Sequence, residues 1–218
     1  MSDTAKPKKL TMLVSSTVYG IEELLDRIYT LLTAYGYEVW MSHKGTVPVR
    51  SDRTAFENCL AAVEKCDLFL GIITPTYGSG QDATKPGEPS ITHMEMRKAI
   101  ALKKPRWILA HDHVVFARAL LANLGHKNPA TRRRLPLKKT PILDDLRVLD
   151  LYEEATLAAD KTPLAERDGN WVQKYANADD ASTFVSFQFF RYQEVEEFIK
   201  DNFENNPPRL KNEKGGNP

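Results

Sequence analysis

Leu68-Phe69-Leu70-Gly71-Ile72-Ile73 is a continuous apolar run closed by Thr74-Pro75. Strands covered on both faces read this way, without the polar alternation of a half-solvated strand, and they belong to parallel sheets. Upstream, Asp52 is placed to cap a helix whose inner face is Phe56, Cys59, Leu60 and Val63. Before that lie a strand over Tyr37 to Met41 and an amphipathic helix carrying Ile21, Leu24, Leu25, Ile28, Leu31, Leu32 and Tyr35, stopped by Gly36. The first strand is Leu10 to Ser16. Downstream come a Gly/Pro-rich loop from Thr76 to Pro89, a helix from Ser90 to Lys104, a strand over Arg106 to Ala110, and a helix from Val114 to Leu124 ended by Gly125. Such alternation builds right-handed βαβ units. The expected class is α/β, an open parallel sheet of about five strands with helices on both faces.

Beyond Gly125 the regularity weakens. Val148 to Tyr152 reads as a fifth strand, Phe184 to Phe190 has strand character, and Glu194 to Phe203 is a final helix. His126 to Pro141 gathers Arg132, Arg133, Arg134, Lys138 and Lys139 with no acid. It lacks aromatic residues for base stacking, so it reads as a solvated loop or insertion in preference to a nucleic-acid patch. Residues 8–125 are therefore expected to form the core, and 126–204 a less regular C-terminal extension packed on it or completing it. Residues 205–218, rich in Pro, Gly, Asn and Lys, read as a disordered tail.

Composition excludes several classes. Across 218 residues, Lys and Arg number 30 against 29 Asp and Glu, so no overall field favours nucleic acid or a membrane. No apolar stretch approaches the roughly 20 residues of a membrane span, and the polar N-terminus has no signal-peptide core. Cys59 and Cys66 lie two turns apart on one side of a helix and read as packed thiols, with no histidine pattern for zinc. A cytoplasmic protein without membrane or nucleic-acid partners is expected.

Glu95 breaks the pattern of its helix. At about 100° per residue, Ile91, Ala99 and Leu102 lie within about 40° of it, while His93, Arg97 and Lys104 fall on the other side. A carboxylate in an apolar stripe must be paired, protonated or line a cavity. The plainer alternatives are a place at the stripe's edge or an ion pair with Arg97 or Lys98. In open parallel sheets ligands bind beyond the carboxyl ends of the strands, where strand order reverses. Ser15, Ser16, Thr17 and Tyr19 follow one strand to that edge, Tyr77 and Gly78 follow another, and Ser90 opens the Glu95 helix. Hydroxyls and backbone N–H groups at such turns suit ribose and phosphate oxygens. The same residues can instead cap helices or make turns, and no Walker A or GxGxxG fingerprint is present. His111-Asp112-His113 is half of a metal site without a distant partner, so no metal centre is expected. Arg50 and Arg53 suit either a pyrophosphate or surface ion pairs.

Val14-Ser-Ser-Thr17, Cys66 to Ile73, Tyr77-Gly78 and Ser90-Ile-Thr-His-Met-Glu95, in that order and spacing, resemble one family. It is the bacterial TIR-like family, named as a domain of unknown function, whose first strand typically reads "VFVSST". It is similar to TIR domains and, more distantly, to nucleoside 2-deoxyribosyltransferases. The likeness covers roughly residues 8 to 125. It implies a flavodoxin-like sheet, self-association, and chemistry at an N-glycosidic bond with an essential glutamate, which Glu95 matches. The chain departs from the better-known TIR pattern in lacking Trp-x-x-x-Glu around that residue. The expected activity is hydrolysis of the nicotinamide–ribose bond of NAD, in bacterial defence or signalling. NAD is then the substrate and no cofactor is needed. Trp40 would stack on a nicotinamide or adenine ring, although core packing is the commoner fate of a strand tryptophan.

Cleavage at a ribosyl carbon passes through an oxocarbenium-like centre that a carboxylate stabilises or attacks. Nicotinamide leaves from a cationic pyridinium, so one carboxylate suffices. A neutral base needs a second acid, and none is evident: Asp82 and Glu88 lie in the preceding loop, and His93 projects from the helix's other side. Two alternatives stay open: a nucleoside or nucleotide glycosidase or deoxyribosyltransferase, and a non-catalytic interaction module.

Overall fold

The computed structural model of the chain describes residues 9–80, 87–138, 140, 142–159, 162–163 and 168–204. Five strands, β1 Thr11–Ser16, β2 Glu38–Trp40, β3 Leu68–Ile73, β4 Arg106–His111 and β5 Val172–Tyr175, form one parallel sheet in the order β2-β1-β3-β4-β5. This is the flavodoxin-like order, and it reverses between β1 and β3. β3 is buried along its whole length, as its unbroken apolar run requires.

Side-chain alternation along the strands divides the core in two. Met12, Val14, Leu68, Leu70 and Ile72 face α1 Glu22–Ala34, α7 Ala178–Phe189 and α8 Tyr192–Ile199. Leu13, Phe69, Ile73 and Ile108 face α2 Ala55–Lys65, α3 Ile91–Ala101, α4 Asp112–Asn123 and α6 Arg147–Ala155. Ser15 and Gly71 are register partners and lie on the second face. A Cβ on Gly71 would stand 2.6 Å from the Met96 methyl and 3.0 Å from Ile108 Cδ1, so the missing side chain lets α3 settle close to the sheet.

Four local expectations are corrected. Asp52 is not the cap of α2: Thr54 accepts from the Glu57 N–H and Glu57 bonds back, a reciprocal capping box. Val148 to Tyr152 is part of the helix α6, because Val148, Leu149, Leu151 and Ala155 make one buried helical face. Phe184 to Phe189 belongs to α7, with Phe190 as its C-terminal cap; Asn177 caps its start, and it buries Ala181, Val185 and Phe189 at i, i+4 spacing. The final helix begins at Tyr192 and passes into a π-helical turn, Lys200–Glu204. The true fifth strand is Val172–Tyr175, so the region after residue 125 completes the sheet. The expected tail, 205–218, lies outside the described residues.

The basic segment does not stay in solvent throughout. It holds the short helix α5 Pro129–Arg132, whose Arg132 is 2% exposed and donates to Asp150 at 2.6 Å and to Glu153 at 2.6 Å. Arg133 and Arg134 are exposed.

Candidate functional site

α3 starts at Ser90, whose side chain accepts from the His93 N–H at 3.2 Å and fixes where the first turn points. One turn on, Glu95 is buried at 7% exposure against the sheet. The Ser15 hydroxyl, near the carboxyl end of β1, donates to Glu95 Oε2 at 2.6 Å. Cys59, from α2, stands close enough to interact with the same carboxyl. Burial pushes Glu95 up to about 7, and the Ser15 hydrogen bond and the nearby Cys59 thiol only partly oppose it. Burial also pushes the Cys59 thiol up to about 12, with the neighbouring Glu95 adding to the shift. At neutral pH Glu95 is thus divided between acid and carboxylate, a state suited to taking or giving up charge in a reaction. Of the plainer alternatives, no ion pair of Glu95 is present among the described residues; Arg97 pairs with Glu154 and Lys98 with Glu64.

The other expected residues divide into groups. Gly78, at φ +83°, packs against Thr17: a Cβ there would meet Thr17 Oγ1 at 2.9 Å and Ser90 Cβ at 3.8 Å. Thr17, Gly78 and Ser90 therefore knit the β1 and β3 turns to the start of α3. Tyr77 is 3% exposed, its hydroxyl 2.6 Å from His93 Nδ1, so it supports the turn from within. Trp40 is half-buried at the end of β2, on the Ser15 face, with its indole N–H on Glu38 Oε1 at 2.9 Å. Ser16 alternates to the opposite face from Ser15 and donates to the Thr17 carbonyl at 3.0 Å. Tyr19 is 77% exposed. Arg50 pairs with Asp52 at 2.6 Å, the surface ion pair that was one of its two readings.

His93 is not on a solvent face. It is 2% exposed because α3 is covered on its second side by α6, where Glu154 Oε2 stands 3.1 Å from His93 Nε2. That approach lacks hydrogen-bond alignment, since Nε2 has no such partner. Burial alone would raise Glu154, but the paired hydrogen bonds from Arg97 and the nearby His93 hold its carboxyl down at about 2. Leu102, expected beside Glu95, is 47% exposed because it lies past the end of α3.

Two clefts open elsewhere. One of about 700 Å³ is lined by Arg97, Arg118, Asp150, Glu153 and Glu154; another of about 510 Å³ is lined by Arg132, Asp144, Asp145 and Arg147. Neither is lined by Glu95 or Ser15.

The model of the family described as Domain of unknown function (DUF4062) matches residues 12–132. No curated protein matches the chain. Among solved structures, the chain is similar to one described as the crystal structure of a conserved protein from Enterococcus faecalis V583. The two share 10% identity with a TM-score of 0.39, over 83% of this chain and 99% of that one.

Proposed function

The chain belongs to the family described as Domain of unknown function (DUF4062), and we propose that it cleaves the nicotinamide–ribose bond of NAD with Glu95 as the reacting carboxylate. The observation that carries this reading is the Glu95 carboxyl itself: buried against the sheet near the carboxyl end of β1, held by Ser15, and raised to about 7. An apolar setting makes the carboxylate costly in the free protein and favourable once a cation lies beside it. The nicotinamide riboside moiety of NAD is such a cation.

As the C1′–N bond breaks, its electron pair goes to the pyridinium nitrogen and nicotinamide leaves neutral. Glu95 stabilises or captures the positive ribosyl carbon, water adds there, and one proton is released. Ser15 is a positioning residue that holds Oε2. Self-association and a role in bacterial defence or signalling belong to the same proposal.

The test is incubation of concentrated protein with NAD and with a nucleoside panel, with mass detection of the released base. Nicotinamide release is expected, with Glu95→Gln reducing it by about 10²-fold or more while leaving the fold intact. Because the ionised form reacts, kcat/KM should rise with pH through about 7. A profile that falls above that pH, with purine or pyrimidine release and no loss of NAD, assigns Glu95 as a general acid in a nucleoside glycosidase. Equal turnover by wild type and Glu95→Gln rejects both enzymatic readings. The non-catalytic module is favoured by one observation, that Glu95 is buried under α3 and lines neither of the two clefts described above. It predicts no turnover of any nucleotide.

A further inference from the structure

β4 runs out at His111, and the chain turns directly into α4. His111 is extended, at φ −61° and ψ 141°, and its Nδ1 accepts the His113 N–H at 3.2 Å. Asp112 and His113 follow as the first helical residues. The turn brings the three side chains into one sector, with one donor atom from each lying within 4.8 Å of the others. Asp112 Oδ1 stands 3.0 Å from His111 Nδ1 and 3.9 Å from His113 Nε2. The two imidazole rings are 4.5 Å apart, centroid to centroid.

Two buried polar atoms here have no hydrogen-bond partner. Asp112 Oδ1 is one: its approach to His111 lacks hydrogen-bond alignment. The Tyr175 hydroxyl is the other, on a residue 2% exposed whose ring lies 5.2 Å from that of His111. Tyr175 ends β5 beside β4, where it is the register partner of His111. Native proteins rarely leave buried carboxylate and phenol oxygens unmade, and each such group calls for an explanation.

We infer that His111, Asp112 and His113 form a binding site for a divalent transition-metal ion of the zinc type, with the Tyr175 hydroxyl as its outer partner. Two imidazole nitrogens and one carboxylate oxygen suit such an ion, leaving a fourth position for water or a ligand. Calcium and magnesium would demand more oxygens. The start of α4 presents its positive end to the ion, which weakens the site without removing its donors. The Tyr175 hydroxyl is left to donate to the carboxylate or to a metal-bound water, as outer partners in such sites do. This inference does not depend on NAD cleavage.

The experiment is calorimetric titration of the chelator-stripped full-length chain with Zn²⁺. About one equivalent should bind. His113→Ala, at a half-exposed side chain, should weaken binding by about 10- to 100-fold with an unchanged circular dichroism spectrum. Tyr175→Phe, which keeps the ring, should weaken it by about tenfold, and His43→Ala on the far-removed His43–Asp26 pair should leave it unchanged. If His113→Ala fails to fold, Asp112→Asn is read in its place. Absence of stoichiometric binding, or binding that neither variant at positions 112 and 113 diminishes, overturns the assignment.

Discussion

Glu95 is neutral in the folded protein over a range of pH in which the unfolded chain has already ionised it. Its ordinary value is 4.5, and burial lifts it to about 7. Between those values the native state holds the extra proton, so this residue makes stability fall as pH rises from about 4.5 to about 7. The full difference is of order 3 kcal/mol. Glu95→Gln keeps the shape and removes the titration. The variant should therefore be more stable than wild type at pH 8, by up to about 3 kcal/mol, with much of that gain gone at pH 5. Urea midpoints at the two pH values measure this, and parallel pH dependence in both proteins would contradict it. Helical periodicity alone marks this residue, because an acid in an apolar stripe is visible in one dimension. Ser15 could be placed at the same edge from the strand pattern. Cys59 could be read only as a packed thiol, because its approach to Glu95 depends on how α2 lies beside α3. His93 lies on the opposite side from Glu95, as the helical angles say, but those angles cannot show that α6 covers that side too.

At the scale of elements, α6 is the least legible and among the most connected. Its sequence, Arg147-Val-Leu-Asp-Leu-Tyr-Glu-Glu-Ala155, contains a short apolar cluster that reads as a strand in isolation. Its apolar face buries it against the sheet, and its acids meet the neighbouring helices. Glu154 faces His93 and Arg97 on α3, Glu153 reaches Arg118 on α4 and Arg132 on α5, and Asp150 also meets Arg132. None of those partners is near α6 in sequence except Arg132, so one-dimensional reading cannot supply them. β5 is faint in the sequence for a different reason: Val-Gln-Lys-Tyr is an edge strand with only Tyr175 fully buried. β1, β3 and β4 carry long apolar runs and were plain. The Arg132 cluster makes a quantitative prediction. Orphaning a buried charge costs roughly 3–5 kcal/mol. Glu153→Gln should cost less, about 2 kcal/mol, because Asp150 still faces the guanidinium. Adding Arg132→Met should cost less than the same change does in the wild type, because Glu153 is then no longer left as an unpaired charge, while Asp150 loses its partner in both backgrounds. A double-mutant cycle in urea checks this, and additive losses would show that the two residues are not coupled.

For the molecule as a whole, the region matched by the family model and the unit that folds have different boundaries. The match ends at residue 132, after β4 and α4. Both halves of the core extend past it. On one face, Tyr175, Ala181, Val185, Phe189 and Ile199 pack with the β1 and β3 side chains. On the other, Val148, Leu149, Leu151 and Ala155 pack with those of α3 and β4. Burying a large apolar side chain contributes about 1.5–3 kcal/mol, whereas a whole domain is stable by only about 5–15 kcal/mol. Losing several such residues from each face exceeds that margin. It would also leave β4 as a bare edge with Ile108, Leu109 and Ala110 uncovered, a surface prone to aggregation. A chain ending at residue 132 should therefore show no cooperative thermal transition by circular dichroism and should aggregate at concentrations where the full chain stays dispersed. A sigmoidal melt with a native-like α/β spectrum would mean that residues 12–132 fold without β5, α6 and α7. The expected failure follows from the sheet order: β5 joins at the β4 edge, and only with it in place does Tyr175 close the turn that carries His111, Asp112 and His113.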